Sequence, residues 1–135
     1  MSNTIRFTAY GDVQPAHRPR AFKVGKGVRM HNDKRHDNWM DSVAAQALVH
    51  RPARLLEGPV RLCVDVYIIK PKSVKREYPT VKPDATNYAK AVEDALNKLI
   101  WVDDAQVVDQ RCRKFYGNPS RAEITVEEIN GSLQL

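Results

Sequence analysis

The sequence predicts one α+β domain over residues 1–135, with a mixed or antiparallel sheet packed by two helices in the order β-α-β-α-β-β. Three patterns carry that expectation. Residues 60–69 alternate strictly between apolar and polar positions, residues 84–99 repeat with helical period, and two further strand-like runs close the chain around a Gly-Asn-Pro turn. A length of 135 residues suffices for one self-sufficient core.

In chain order, Ile5, Phe7 and Ala9 alternate with Arg6, Thr8 and Tyr10, which makes residues 4–10 a strand with one buried face. Gly11, Pro15, Pro19, Gly25 and Gly27 then break the chain into a basic loop or loose hairpin through residue 31. Asn32 or Asp33 can cap a helix running to about Val49, with Trp39, Met40, Val43, Ala44 and Ala47 on one face. Gly58-Pro59 ends the connection to the clearest strand. There Val60, Leu62, Val64, Val66 and Ile68 point one way, and Arg61, Cys63, Asp65 and Tyr67 the other. The proline-bounded basic loop from Pro71 to Pro83 is long for a compact domain, as functional or mobile loops are. A second helix over 84–99 gathers Ala85, Tyr88, Ala89, Val92, Ala95, Leu96 and Leu99 on its apolar face, with Asn87, Lys90 and Asp94 opposite and Asp84 displaced towards them. Strands over about Gln106–Phe115 and Arg121–Ile129 follow, with Gly117-Asn118-Pro119 as the turn between them.

Apolar residues make up 42% and charged residues 28%, a globular rather than a disordered balance. The net charge of +6 is concentrated in three basic clusters. The first runs from Arg18 to Arg35 (Arg18, Arg20, Lys23, Lys26, Arg29, Lys34, Arg35), the second from Lys70 to Lys82 (Lys70, Lys72, Lys75, Arg76, Lys82), and the third comprises Arg111, Arg113, Lys114 and Arg121. They read either as solvated loops or as phosphate contacts, and the clustering favours a polyanionic partner bound in a salt-dependent way. Cys63 and Cys112 lie in strand-like runs without metal or disulfide spacing. The N-terminus carries no signal pattern, and no apolar run approaches bilayer length. A reduced cytoplasmic setting, with no membrane and no organic cofactor, is the default expectation.

Against this basic background, Asp84, Asp94, Asp103 and Asp104 fall on a helix and the turn after it. Carboxylates beside a phosphate backbone repel it unless a divalent cation intervenes. Mg²⁺, which favours a few carboxylate oxygens together with water and phosphate, suits such a set. Plainer readings stand beside that one: Asp84 as a first-turn residue favoured by the helix dipole, Asp103-Asp104 as a polar turn, and Lys90 with Asp94 as a surface ion pair. The histidines at 17, 31, 36 and 50 share no face, and His31 and His36 are expected to be exposed or phosphate-facing. Trp39 and Trp101 read as core anchors. Tyr67 and Tyr116 are left open between DNA and a partner.

The string Lys82-Pro83-Asp84-x-x-Asn87-x-x-Lys90-x-x-x-Asp94-Ala95-Leu96, followed by Trp101-x-Asp103-Asp104-x-Gln106-Val107, resembles the signature of RusA-type Holliday junction resolvases. That signature has a Pro-Asp-x-Asp-Asn-x-x-Lys core and a later Asp-Asp pair. Pro15-x-x-Arg18-Pro19-Arg20 resembles a basic segment of the same family, so the likeness covers roughly residues 5–130. The resemblance implies a homodimeric endonuclease, frequent among phages, that nicks four-way DNA junctions symmetrically with Mg²⁺ or Mn²⁺. It assigns Asp84, Asp103 and Asp104 to the metal and to catalysis, with Asp104 at the better-established position, and Lys90 to catalysis or DNA positioning. Asn87 and Asp94 take supporting roles. The basic residues Arg18, Arg20, Lys23, Lys26, Arg29, Lys72, Lys75, Arg76 and Lys82 are expected to grip the junction arms. Thr86 departs from the pattern, standing where the family carries a second helix aspartate. A junction-binding protein without nuclease activity is therefore the competing expectation, and a purely structural protein a more distant one.

Overall fold

The computed structural model describes residues 4–16, 20–24, 27–31 and 34–129, the two middle segments by backbone alone. The chain runs β1 (Thr4–Tyr10), β2 (Arg20–Val24), β3 (Gly27–His31), α1 (Lys34–His50), β4 (Val60–Ile68), α2 (Ala85–Leu96), a 3₁₀ turn (Asp104–Gln106), β5 (Val107–Tyr116) and β6 (Arg121–Glu128). The expected order holds, and the loose hairpin takes form as the antiparallel β2–β3 pair.

The main sheet has the order β1-β6-β4-β5, with β4 and β5 parallel and the other neighbours antiparallel, so it is mixed. The strands β5 and β6 that flank Gly117-Asn118-Pro119 are not neighbours, because β4 lies between them. The connection passes over the C-terminal end of β4, where the Gly117 N–H donates to the Ile68 carbonyl at 2.9 Å. A Cβ at Gly117 would stand 2.8 Å from the Tyr67 ring, so the crossing requires glycine.

One face of the sheet is apolar and covered by helices. Val60, Leu62, Val64 and Val66 of β4 meet Ala122, Ile124 and Val126 of β6 and Phe7 and Ala9 of β1. Upon them lie Trp39, Val43 and Ala47 of α1 and Tyr88, Val92 and Leu96 of α2, each large apolar side chain stabilising by about 1.5–3 kcal/mol on full burial. Ala91 is also buried, where α2 packs closely, although it lies outside the expected apolar face. The opposite face of the sheet is a charged lattice. Arg61 reaches Asp109 at 2.7 Å and Glu127 at 3.3 Å, while Arg113 grips Asp65 through two hydrogen bonds of 2.8 and 2.7 Å. These pairs sit directly across neighbouring strands, where side chains of one face meet.

The second helix ends at Leu96 rather than Leu99. Lys98 adopts a left-handed φ of 66°, which closes the helix in the manner usually given to glycine. The chain then returns along Leu56, whose N–H donates to the Ile100 carbonyl at 2.8 Å and whose carbonyl accepts from Val102 at 3.3 Å. Among the described residues no helix is long and apolar enough to cross a membrane.

Candidate active site

Asp84 occupies the N-cap position of α2 in extended conformation, yet its exposed carboxylate makes no capping hydrogen bond. Its carbonyl instead receives the N–H groups of Asn87 and Tyr88. The segment leading into it is held from β5, where the Lys114 ammonium donates to the carbonyls of Val81 and Pro83, each at 2.9 Å. From the other side, the Ala16 N–H donates to the Asn87 carbonyl at 2.9 Å, so the chain that leads towards Arg18 passes the first turn of α2. Thr86 and Asn87 are exposed on that turn.

The acid pair lies beyond the far end of α2 and is tightly built. Asp103 caps the 3₁₀ turn: its Oδ2 accepts from the Ala105 N–H at 2.9 Å, while its own N–H donates to Gln106 Oε1 at 2.8 Å. Gln106 Nε2 donates in turn to the carbonyls of Leu56 and Gly58, at 2.8 and 3.0 Å. Asp104 is held differently. Its Oδ1 accepts the indole N–H of the fully buried Trp101 at 2.8 Å. The two acids do lie in a turn, with Asp103 committed to the backbone and Asp104 to the tryptophan.

Lys90 forms the i,i+4 ion pair with Asp94 at 2.6 Å, with both groups partly exposed. That hydrogen bond, together with the charges of Asp94, Glu93 and Asp104, raises the ammonium's pKa against the opposing effect of burial. Glu93 was not singled out in the sequence. Burial pushes its carboxyl pKa up, and the nearby Asp104 charge adds to the rise, while Lys90 and a hydrogen bond from Gln110 of β5 oppose it. The available signal was its position three residues after Lys90, which puts both on one side of α2.

Asp84 and Asp104 do not meet within one chain. Glu93, which feels the Asp104 charge, lies nine residues beyond Asp84, about 13 Å along the helix axis. On β5, Lys114 at the Asp84 end is seven residues from Val107 at the Asp104 end, about 23 Å of strand. Among the described residues no three His, Cys, Asp or Glu side chains converge closely enough to hold a metal ion.

The basic clusters divide. Arg18 and Lys26 lie outside the described residues, as do the side chains of Arg20, Lys23 and Arg29 on β2 and β3. Lys72, Lys75 and Lys82 are exposed in the β4–α2 loop. Arg76 donates to the Tyr116 hydroxyl at 3.0 Å, and both Arg76 and Lys70 approach the ring of that tyrosine. The third cluster is paired with acids and carbonyls, although Arg111, 3.5 Å from Asp109, and Arg113 stay exposed. Arg113 is bound to Asp65, Lys114 to two carbonyls, and Arg121 to Glu123 while lying 3.9 Å over Tyr67. His36 is also less open than expected: its side chain is largely buried and sits 3.6 Å from Asp37.

A profile of the Endodeoxyribonuclease RusA family matches residues 11–127. The chain belongs to the RusA family. It is 40% identical over 138 aligned positions to the uncharacterized protein YqaN of Bacillus subtilis (strain 168), covering 93% of this chain and 97% of that one. It is also 31% identical over 114 positions to the crossover junction endodeoxyribonuclease rusA of Lactococcus phage r1t, covering 82% and 86% respectively. The RusA match spans the N-terminal basic segment, both ends of α2 and the acidic turn. Membership in the family points to an endodeoxyribonuclease and to branched DNA as the partner class.

Proposed function

We propose that the chain is a Mg²⁺-dependent resolvase that cuts four-way DNA junctions by symmetric paired nicks, working as a homodimer whose sites are shared between subunits. The observation that supports the shared site is the separation of Asp84 from Asp104 along α2. A site that uses both acids needs Asp84 from one subunit and Asp104 from the other. A two-fold dimer then forms two such sites, matching the two-fold symmetry of paired nicks.

The donor chemistry fits Mg²⁺. Asp84 presents a carboxylate without a capping bond, and Asp104 has one oxygen held by a neutral indole rather than by a cation. Mg²⁺ typically takes one or two carboxylates and completes its shell with water and phosphate oxygens. When bound, it supplies a Lewis acid for phosphate and lowers the pKa of water. The chain's own residues do the rest. Lys90 steadies developing phosphate charge, Asp94 fixes Lys90, and Asp103 with Gln106 shapes the turn that carries Asp104. Asn87 and Thr86 flank Asp84 on the first turn of α2. Lys72, Lys75 and Lys82, with the N-terminal basic segment, contact the arms and make binding fall steeply with salt.

Cleavage of a synthetic four-way junction, with and without Mg²⁺ or Mn²⁺, tests this reading. The expected result is paired symmetric nicks that require the metal. Thr86 favours a second reading, a junction-binding protein that does not cut, which predicts tight binding and no nicks with either ion.

A further inference from the structure

We infer that Trp101 is a positioning residue for catalysis: its buried indole N–H fixes one oxygen of Asp104 and leaves the other to face the site. This rests on the resolvase reading for its catalytic meaning, while the hydrogen bond itself does not depend on that reading.

Trp101 is fully buried, so its N–H has no water to turn to, and its ring cannot swing without opening the core formed with Leu56 and Ile100. Its backbone is equally fixed. It pairs with Leu56 in a parallel bridge, and its carbonyl accepts from Lys98 at 2.9 Å. The 2.8 Å bond to Asp104 Oδ1 therefore ties a half-exposed carboxylate to an immobile donor three residues earlier. Gln106 braces the same turn from its other side, through Asp103 and through the carbonyls of Leu56 and Gly58. Trp101 and Gln106 both converge on Leu56, so the position of Asp104 is inherited from the core rather than from a mobile loop. A carboxylate with one oxygen occupied in this way loses rotational freedom before any ligand arrives, and preorganised groups lose least on binding. The indole donor is neutral, so it orients the carboxylate without cancelling its charge.

The test uses the full-length protein and Trp101→Phe, which keeps an aromatic ring in the core and deletes the donor. The expected result is junction cleavage that needs about 10- to 100-fold more Mg²⁺ for half-maximal rate, with metal-free junction binding unchanged. Trp39→Phe, distant from these acids in the chain and with no such bond among the described residues, is expected to keep the wild-type Mg²⁺ requirement. A second readout works without catalysis. The Trp101 indole N–H resonance should shift on addition of Mg²⁺ alone, and it should move in Asp104→Asn, which then shows no further Mg²⁺ response. A wild-type metal requirement in Trp101→Phe, or an indole resonance indifferent to Asp104→Asn, would overturn the proposal. If the wild-type protein cuts no junction, the resolvase reading fails by itself, and the resonance still decides whether Trp101 orients Asp104.

Discussion

The two tryptophans mark two corners of one core that are built alike and used differently. Trp39, on α1, is 2% exposed and packs beside Gly11 and Ser42, and its indole N–H meets no acceptor among the described residues. The acid near it, Asp12, is bound to Arg35 at 3.1 Å in an exposed pair. Trp101 is equally buried, but its N–H reaches Asp104, the carboxylate of the turn after α2 that does not cap the backbone. At the first corner the ring supplies apolar area, and no acceptor for its N–H lies among the described residues. At the second, the polar edge of the same side chain sets where a carboxylate points. What separates a structural corner from a candidate active corner here is the destination of a single N–H.

The contrast is sharpest in activity. Asp104→Asn should lower junction cleavage by about 100- to 1000-fold, the scale of losing one preorganised electrostatic group, whereas Asp12→Asn should leave the cleavage rate unchanged. Comparable losses in both would erase the distinction between the corners. Stability gives the next contrast. Gln106→Leu removes the acceptor for the Asp103 N–H and two bonds to the Leu56 and Gly58 carbonyls, and should cost about 1–3 kcal/mol in denaturant unfolding. Ser42→Ala, which removes a single 3.1 Å bond to the Tyr10 carbonyl beside Trp39, should cost about 1 kcal/mol or less.

The smallest effect depends on pH. Burial and the Asp104 charge raise the Glu93 pKa above its ordinary 4.5, so the folded state holds this proton more tightly than the unfolded state. The stability linked to that proton is fully present below about pH 4.5 and is lost as pH rises through the folded value. Glu93→Gln should therefore unfold at a slightly higher temperature than wild type near neutral pH, and the advantage should shrink towards zero on acidification. A difference that grows on acidification would mean that the local field at Glu93 has the opposite sign.

Much of the fold was legible because its signals are local. Alternation in Val60–Ile68 and the helical stripe through Tyr88, Val92 and Leu96 depend only on the period of each element. Strand order was not legible. The Gly117 turn has the composition of a hairpin, and only the fit of the chain over Tyr67 at the end of β4 reveals a crossing. The end of α2 was misjudged because a lysine, not glycine or proline, takes the left-handed position. At the site, the acids themselves were evident, as was the Lys90–Asp94 pair. Their separation was also implicit, since a helix between Asp84 and Asp104 has a fixed rise, but proximity in sequence suggested proximity in space. The partners of Glu93 and Lys114 depend on strand pairing and chain return, which no local pattern encodes, whereas the Trp101–Asp104 bond spans only three residues and its signal was the burial of the tryptophan.

The central claim is that each site is shared, and mixing two inactive variants tests it most directly. Asp84→Asn and Asp104→Asn proteins are each expected to be silent on a four-way junction in Mg²⁺. After subunit exchange, a mixed dimer of the shared design regains one intact site, with Asp84 from one subunit and Asp104 from the other, and should nick one strand of the junction. If each site lay within a single chain, every site in the mixed dimer would carry a substitution, and continued silence, with dimer exchange verified, would contradict the account.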